Sequence, residues 1–205
     1  MAPSAVRQKQ KERTRERLVS AAREAFAAQG FERSTIREIA RRAGVATGTV
    51  FVHFPDKQAL LAQIFHETLT DVLDEAWSSL PAAPVADQLA HLAGRLYQHY
   101  AAQPDLARVL VKESLFMGGA PGQQLDSHRL QFLARVEDLL SAGGSQWKTP
   151  PSDAARVFFA LYFATLVAGL RGELGEVGAW KKTLEDALAL CSFTARGAPA
   201  GVVRP

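Results

Sequence analysis

Apolar residues recur along this chain at intervals of three and four and almost nowhere in strict alternation, so the pattern predicts helices throughout. Leu18, Ala21, Ala22, Ala25 and Phe26 form one face of a first helix, which Gly30 can end in a left-handed conformation with Phe31 folding back against it. Thr35 and Glu38 make a T-x-x-E capping box for a second helix with the apolar face Ile36, Ile39, Ala40 and Ala43. Gly44 follows, and then a third short helix through Thr49 to Phe54. Pro55-Asp56 breaks it, and Asp56 can cap the next. A long fourth helix carries one apolar face from Leu61 to Leu80 and stops at Pro81. Further helices are expected over 86–102, 105–117, 124–142, 152–173 and 178–194, separated by Gln103-Pro104 and by glycine-bearing breaks. The tail from Ala195 lacks both period and bulk and is expected to be disordered. The expected fold class is all-α, three short helices followed by a larger helical bundle, about nine helices in all.

Composition narrows the function classes. The chain has 205 residues, 47% of them hydrophobic and 22% charged, a balance that supports a buried core without staples. Its one cysteine, Cys191, excludes an intramolecular disulfide and fits a reducing cytoplasm; no Cys/His cluster offers a metal site, and no cofactor is expected. The N-terminus has no apolar stretch of the signal-peptide kind. The longest apolar run, Val157 to Leu170, reads as too short to span a bilayer and therefore as a buried helix, so no membrane partner is expected. Arginine outnumbers lysine 17 to 7 and asparagine is absent, which looks like the codon bias of a GC-rich, bacterial genome.

Charge is unevenly spread. Residues 1–57 hold 12 Lys/Arg against 6 Asp/Glu, while the remainder is slightly acidic within a net +3. A basic head on an acidic body suggests a polyanion partner for the head; a solvated tail is the other reading. Arg7, Lys9, Lys11, Arg13, Arg15 and Arg17 are accordingly either a solubilising tail or an arm for a DNA groove or backbone.

The second and third helices have the spacing of a DNA-reading helix-turn-helix. Ala40 is small where the third helix must pack, Gly44 stands four residues on where the turn needs positive φ, and Val50 is the aliphatic anchor six further along. The domain boundaries read as 1–55 for a helix-turn-helix domain with a basic arm, 56–194 for a helical effector-binding and dimerisation domain, and 195–205 for the tail.

The stretch FERSTIREIARRAGVATGTVFVHFPDKQALL, from Phe31 to Leu61, resembles the signature of the tetracycline-repressor (TetR) family of transcriptional regulators. The resemblance implies that the third helix enters the major groove, with Thr47, Gly48 and Thr49 nearest the base edges. It implies that Arg37 reaches a base or its phosphate, and that Thr35, His53 and Lys57 clamp phosphates. Phe51 fills the position where the family usually has tyrosine, although Phe51 and Phe54 by themselves read as core. Ala46 stands where the family usually caps the third helix, leaving either Thr47 as the cap or no cap.

The apolar segment Arg156 to Leu170 needs cover on two sides. Ala160, Ala164, Ala168 and Gly169 would permit close helix approach, and with Trp180, Leu184, Ala187, Leu188 and Cys191 they suggest a homodimer interface. Candidates for a ligand pocket are Phe65, His66, Trp77, Tyr97, Tyr100, Leu115, Phe116, Met117, Trp147, Phe159 and Phe163, all equally readable as core. No nucleophile elbow, phosphate loop or dinucleotide fingerprint is present, so an enzyme is not expected. The expected function is a homodimeric DNA-binding repressor released from a palindromic operator by a small apolar or amphipathic effector. The alternative keeps the DNA module and makes the body a protein-interaction platform without a ligand.

Overall fold

The computed structural model describes residues 3–143 and 149–191. Trp147 and the tail from Ala195 lie outside them. Among the described residues there are nine helices and no strand: α1 (Pro3–Gln29), α2 (Ile36–Ala43), α3 (Thr47–His53), α4 (Lys57–Ser78), α5 (Val85–Ala102), α6 (Pro104–Ser114), α7 (Gly119–Ala142), α8 (Pro151–Leu170) and α9 (Val177–Leu190). They form two compact units. The first takes the described residues up to Asp71 together with Ala102–His128; the second takes Val72–Ala101 and the described residues from Arg129 on.

The first unit is built on Leu18, Ala22, Phe26, Ile39, Val50, Leu60, Leu61 and Ile64, all with essentially no exposure, joined by Leu106 and Leu110 of α6. The predicted punctuation is present. Gly30 has φ +81°, its amide donates to Phe26 O, and the Phe31 ring packs on Phe26 at 5.3 Å. Asp56 Oδ1 accepts from the Ala59 amide at 2.7 Å and starts α4.

The cations of the basic arm lie on a helix, because α1 runs from Pro3. Between Ser4 and Gln29 the chain contains no glycine or proline, and its Gln, Lys, Glu and Arg are good helix formers, with Gln8 bonded to Glu12 one turn on. The helix already ordered by Leu18 to Phe26 can therefore propagate backwards through exposed residues.

The second unit has an aromatic core. Tyr97 stacks on Tyr162 at 5.4 Å and donates its hydroxyl to the Tyr162 carbonyl, and Trp180 meets Tyr97 edge-on at 5.9 Å. Phe132 lies among Trp77, Phe158, Phe159 and Tyr162. α8 runs for 20 residues, longer than the 157–170 run, so it is long and apolar enough by length and composition alone to cross a membrane. Its buried face, Ala154, Ala155, Phe158, Tyr162, Thr165, Leu166, Gly169 and Leu170, is the core of this unit. Gly169 is buried against the Trp180 ring of its own unit, whereas Ala160 and Ala164 are exposed. Trp180, Leu184 and Leu188 are likewise buried within the unit rather than left for a partner.

Candidate nucleic-acid interface

The site is assembled by three small devices. The first fixes α2. Thr35 is its N-cap, with Oγ1 accepting from the Glu38 amide at 3.2 Å. Glu38 does not close the other half of the capping box. Its carboxylate accepts from Gln29 Nε2 of α1 at 2.5 Å and from Arg42 at 2.8 and 3.0 Å, tying α2 back to α1. The Gln29 bond and then Arg42 hold that carboxyl below its ordinary value.

The second device is the turn. Gly44 has φ +65° and ψ +40°, a conformation that a side chain resists, and the Val45 amide donates to Ala40 O at 3.0 Å. Arg17 donates through Nη2 to the carbonyls of Ala43 and Gly44, placing a cation on the α2 C-terminus where the dipole favours it. The third device seats α3. Val50 is fully buried, Ala46 stands at the N-cap of α3 without a side-chain cap bond, and Phe54 closes the helix at 2% exposure. Arg15 lies over the Phe54 ring at 4.5 Å, donates to Gln63 Oε1 at 2.7 Å and reaches the His53 carbonyl at 3.5 Å. Arg15 and Arg17 thus brace the helix-turn-helix, a role hidden in the sequence because both sit in a run of arm cations.

With Val50 inward, α3 turns Thr47, Gly48, Phe51 and Val52 outward, and Thr49 and His53 are half-buried. Phe51 is 54% exposed, so the core reading of that ring is corrected; its neighbour Phe54 takes the inward place one turn along the helix from Val50. Thr35, Arg37 and Thr47 come together, lining one shallow cleft with Arg41 between the starts of α2 and α3. His53 Nδ1 is buried without a partner, and burial, then Lys11 and Arg15, lower its pKa from the ordinary 6.5. Lys57 is committed inside the protein: its ammonium donates to the carbonyls of Phe31 at 2.6 Å, Ser34 at 3.0 Å and Glu32 at 3.4 Å, 4.2 Å from the Phe31 ring centre. Val52, more exposed than Phe51 on the outward face, was not singled out by the sequence reading. Its spacing, two from the anchor Val50 and four from Gly48, was the available signal.

The pocket candidates fall into different places. In the first unit Phe65 and Met117 are half-buried against the core, while Leu115 and Phe116 are exposed, Phe116 by 93%. His66 Nδ1 meets His128 Nε2 at 2.5 Å. In the second unit Tyr97 and Tyr100 are buried in the core, and burial pushes both hydroxyl pKa values upward. Trp77 is half-buried beneath the Arg135 guanidinium, and Phe159 stacks on Phe163. A cleft of about 960 Å³ in the second unit is walled instead by Pro84, Val85, Leu89, Leu139, Leu188 and their neighbours. Among the described residues no group of three or more His, Cys, Asp or Glu is placed to hold a metal ion.

Residues 18–64 match the family model of bacterial regulatory proteins of the tetR family. The HTH-type transcriptional regulator SrpR of Pseudomonas putida is 27% identical over 175 residues, which span 79% of this chain and 78% of that protein. Thermus thermophilus FadR, a TetR-family transcriptional repressor solved with lauroyl-CoA, superposes with a TM-score of 0.69 at 26% identity, covering 91% of this chain and 98% of that one. The transcriptional regulator FadR of Bacillus subtilis, solved with stearoyl-CoA, has a TM-score of 0.73 at 20% identity over 84% of this chain and 96% of its own. A braced helix-turn-helix on a basic helix, the matched N-terminal model and these relatives converge: residues 18–64 carry the DNA-binding domain of TetR-family transcriptional regulators, and the chain as a whole resembles members of that family.

Proposed function

We propose that this regulator is a homodimeric repressor that holds a palindromic operator and lets go when a small apolar or amphipathic ligand binds its helical body. The observation that carries the reading is the seating of α3: one side locked by Val50, the opposite side bare to solvent and flanked by Arg37 and Arg41. In this reading Thr47, Gly48 and Thr49 lie nearest the base edges, with Arg37 at a base or its phosphate. Thr35, Phe51 and His53 face the backbone, and Lys57 holds the 31–34 loop from behind while adding positive field. The exposed cations Arg7, Lys9, Lys11 and Arg13 extend the basic surface along α1. A DNA partner puts the protein in the bacterial cytoplasm.

Dimerisation is supported by the outward face of α8, where Val157, Ala160 and Ala164 are exposed, and by Leu190 at the end of α9, 86% exposed. Two copies related by a twofold axis would read half-sites whose centres lie about 10 bp or more apart. For the effector, the acyl-CoA ligands of the two FadR structures are long amphipathic molecules of the class expected here. The apolar cleft of the second unit has the volume for a molecule of drug size.

Selection of bound duplexes from a random pool, followed by sedimentation of the complex, tests this. Enrichment of an inverted repeat bound by two copies is the expected result; a monomer on a single half-site would overturn it. Protonation gives a second check. A phosphate beside His53 stabilises the cation that the free protein disfavours, so binding should take up a proton. The shift is downward, so the neutral form's contribution to folding is intact above the unfolded value and is lost as pH falls below it. Operator affinity is expected to rise as pH falls from about 7.5 to about 6. In His53→Gln that slope should vanish; an unchanged slope would place the phosphate elsewhere.

A further inference from the structure

The outward face of α3 carries an unusual combination for a base-reading helix. Its seven residues are TGTVFVH, with no asparagine, glutamine, arginine or lysine. The side chains that form paired hydrogen bonds to guanine or adenine edges are therefore missing from it. Opposite the buried Val50, at 100° per residue, stand Gly48 and Val52, one turn apart on the ridge that points furthest from the protein. Val52 is 72% exposed. An apolar side chain left in water at the centre of an interface gains nothing until an apolar partner covers it.

Gly48 points the same way. Its φ is not in the left-handed region, and a Cβ built there would meet nothing within 4 Å. Gly48 stands in the first turn of α3, where a glycine costs up to about 1 kcal/mol against alanine. Neither the turn nor the packing of this protein requires it, so the requirement for a bare backbone lies in whatever approaches from outside. The flanking charge identifies that partner as a polyanion: Arg37 and Arg41 are exposed beside the cleft at the start of α3, and Lys11 lies on the His53 side.

The major groove of DNA presents one apolar group among its base edges, the C5-methyl of thymine. We infer that Val52 reads a thymine in each half-site, its isopropyl group packed on the C5-methyl, with Gly48 left bare so that α3 can come close enough. The inference rests on the operator-binding reading above and names the chemistry of its central contact.

The test uses the full chain and a duplex selected from a random pool. Each thymine is replaced in turn by deoxyuridine, which removes the methyl and keeps the pairing and the O4 acceptor. At one thymine per half-site, affinity should fall about fourfold, the worth of one buried methyl-sized group. In Val52→Ala that same replacement should have no further effect, because the partner of the methyl is gone. Gly48→Ala should raise or leave unchanged the melting temperature and yet weaken binding, a split that an internal role for the glycine would not produce. A selected duplex with no methyl-sensitive thymine overturns the inference while leaving operator binding intact. Methyl sensitivity that survives in Val52→Ala overturns the assignment to that residue, and full-strength binding by Gly48→Ala overturns the close approach. Failure to enrich any duplex overturns the operator reading and this inference together, and covering of Val52 by a protein partner would appear in that way.

Discussion

Gly169→Ala is expected to lower the melting temperature by about 6–12 °C, a loss of about 3 kcal/mol at 2–4 °C per kcal/mol for a chain of this size. A Cβ on Gly169 falls on the six-membered ring of Trp180, inside any contact distance that real side chains adopt. The ring has nowhere to go. It is 4% exposed, its Nε1 donates to the Gly175 carbonyl at 3.1 Å, and its edge rests on Tyr97. Tyr97 is in turn held by its stack on Tyr162. Relief must come from moving α9 away from α8, which loses the burial of Leu184 and Leu188. The double variant Gly169→Ala/Trp180→Leu should recover part of the loss, because the added methyl then meets a smaller neighbour. Circular dichroism melts of the three proteins measure this. A drop under about 2 °C for the single variant would mean that Trp180 swings aside at little cost.

Gly169 also shows what a single sequence conveys. Its smallness was legible, and so was the need for a helix to come close there. Which helix comes was not: the sequence reading assigned that approach to a partner subunit, whereas the α9 of the same unit fills it. Helical period gives the inward face of each helix but not the identity of what it meets, since the meeting residues are far apart in sequence. Leu106 and Leu110 make the same point. Their spacing marks an apolar face, yet nothing in the sequence places α6 in the core of the helix-turn-helix unit. The boundary at 55/56 marks the end of the motif, and the compact unit reaches beyond it for that reason.

The site was the most legible part, because its constraints are local and chemical. Thr35, Gly44 and Val50 each have one feature, a hydroxyl, a missing Cβ or a buried aliphatic, that the short turn between α2 and α3 requires at a fixed offset. Phe51 and Phe54 were not separable by that logic, since both are aromatic and only the pitch of α3 about Val50 decides which one faces inward. Arg15 and Arg17 were indistinguishable from the other arm cations until a folded neighbour supplied the Phe54 ring and the Ala43 and Gly44 carbonyls. The pocket was the least legible. Tyr97 and Tyr100 have the amphipathic look of ligand-binding residues, and they spend it on one another's surroundings in a closed core.

Lys57→Met is the second large effect expected, and it separates two roles that one lysine can hold. The ammonium spans the loop between α1 and α2, bonded to the carbonyls of Phe31, Glu32 and Ser34 while the Phe31 ring covers it. Methionine keeps the length and apolar stem and removes the charge, so the loss of packing is small. Three carbonyls then lose a charged donor, and those of Phe31 and Ser34 sit where water has limited access. The expected destabilisation is about 2 kcal/mol, since a bond to a charged group contributes about 1.5–3 kcal/mol and water recovers part of it. Thr35, the cap of α2, follows directly on Ser34, so a loosened loop frees the start of α2 and with it Arg37. Operator binding should weaken about tenfold or more, because Thr35 and Arg37 lose their fixed placement at the start of α2. Salt separates the two roles. A lysine that only braces the loop leaves the slope of log K against log salt unchanged, whereas one that also neutralises a phosphate lowers it by about 1. With all three ammonium hydrogens already directed at carbonyls, the expected slope change is well under 1. Melting curves and titrations at several salt concentrations, run on the same two proteins, read both quantities. An unchanged melting temperature with a slope reduced by a full unit would turn this lysine from a brace into a phosphate clamp.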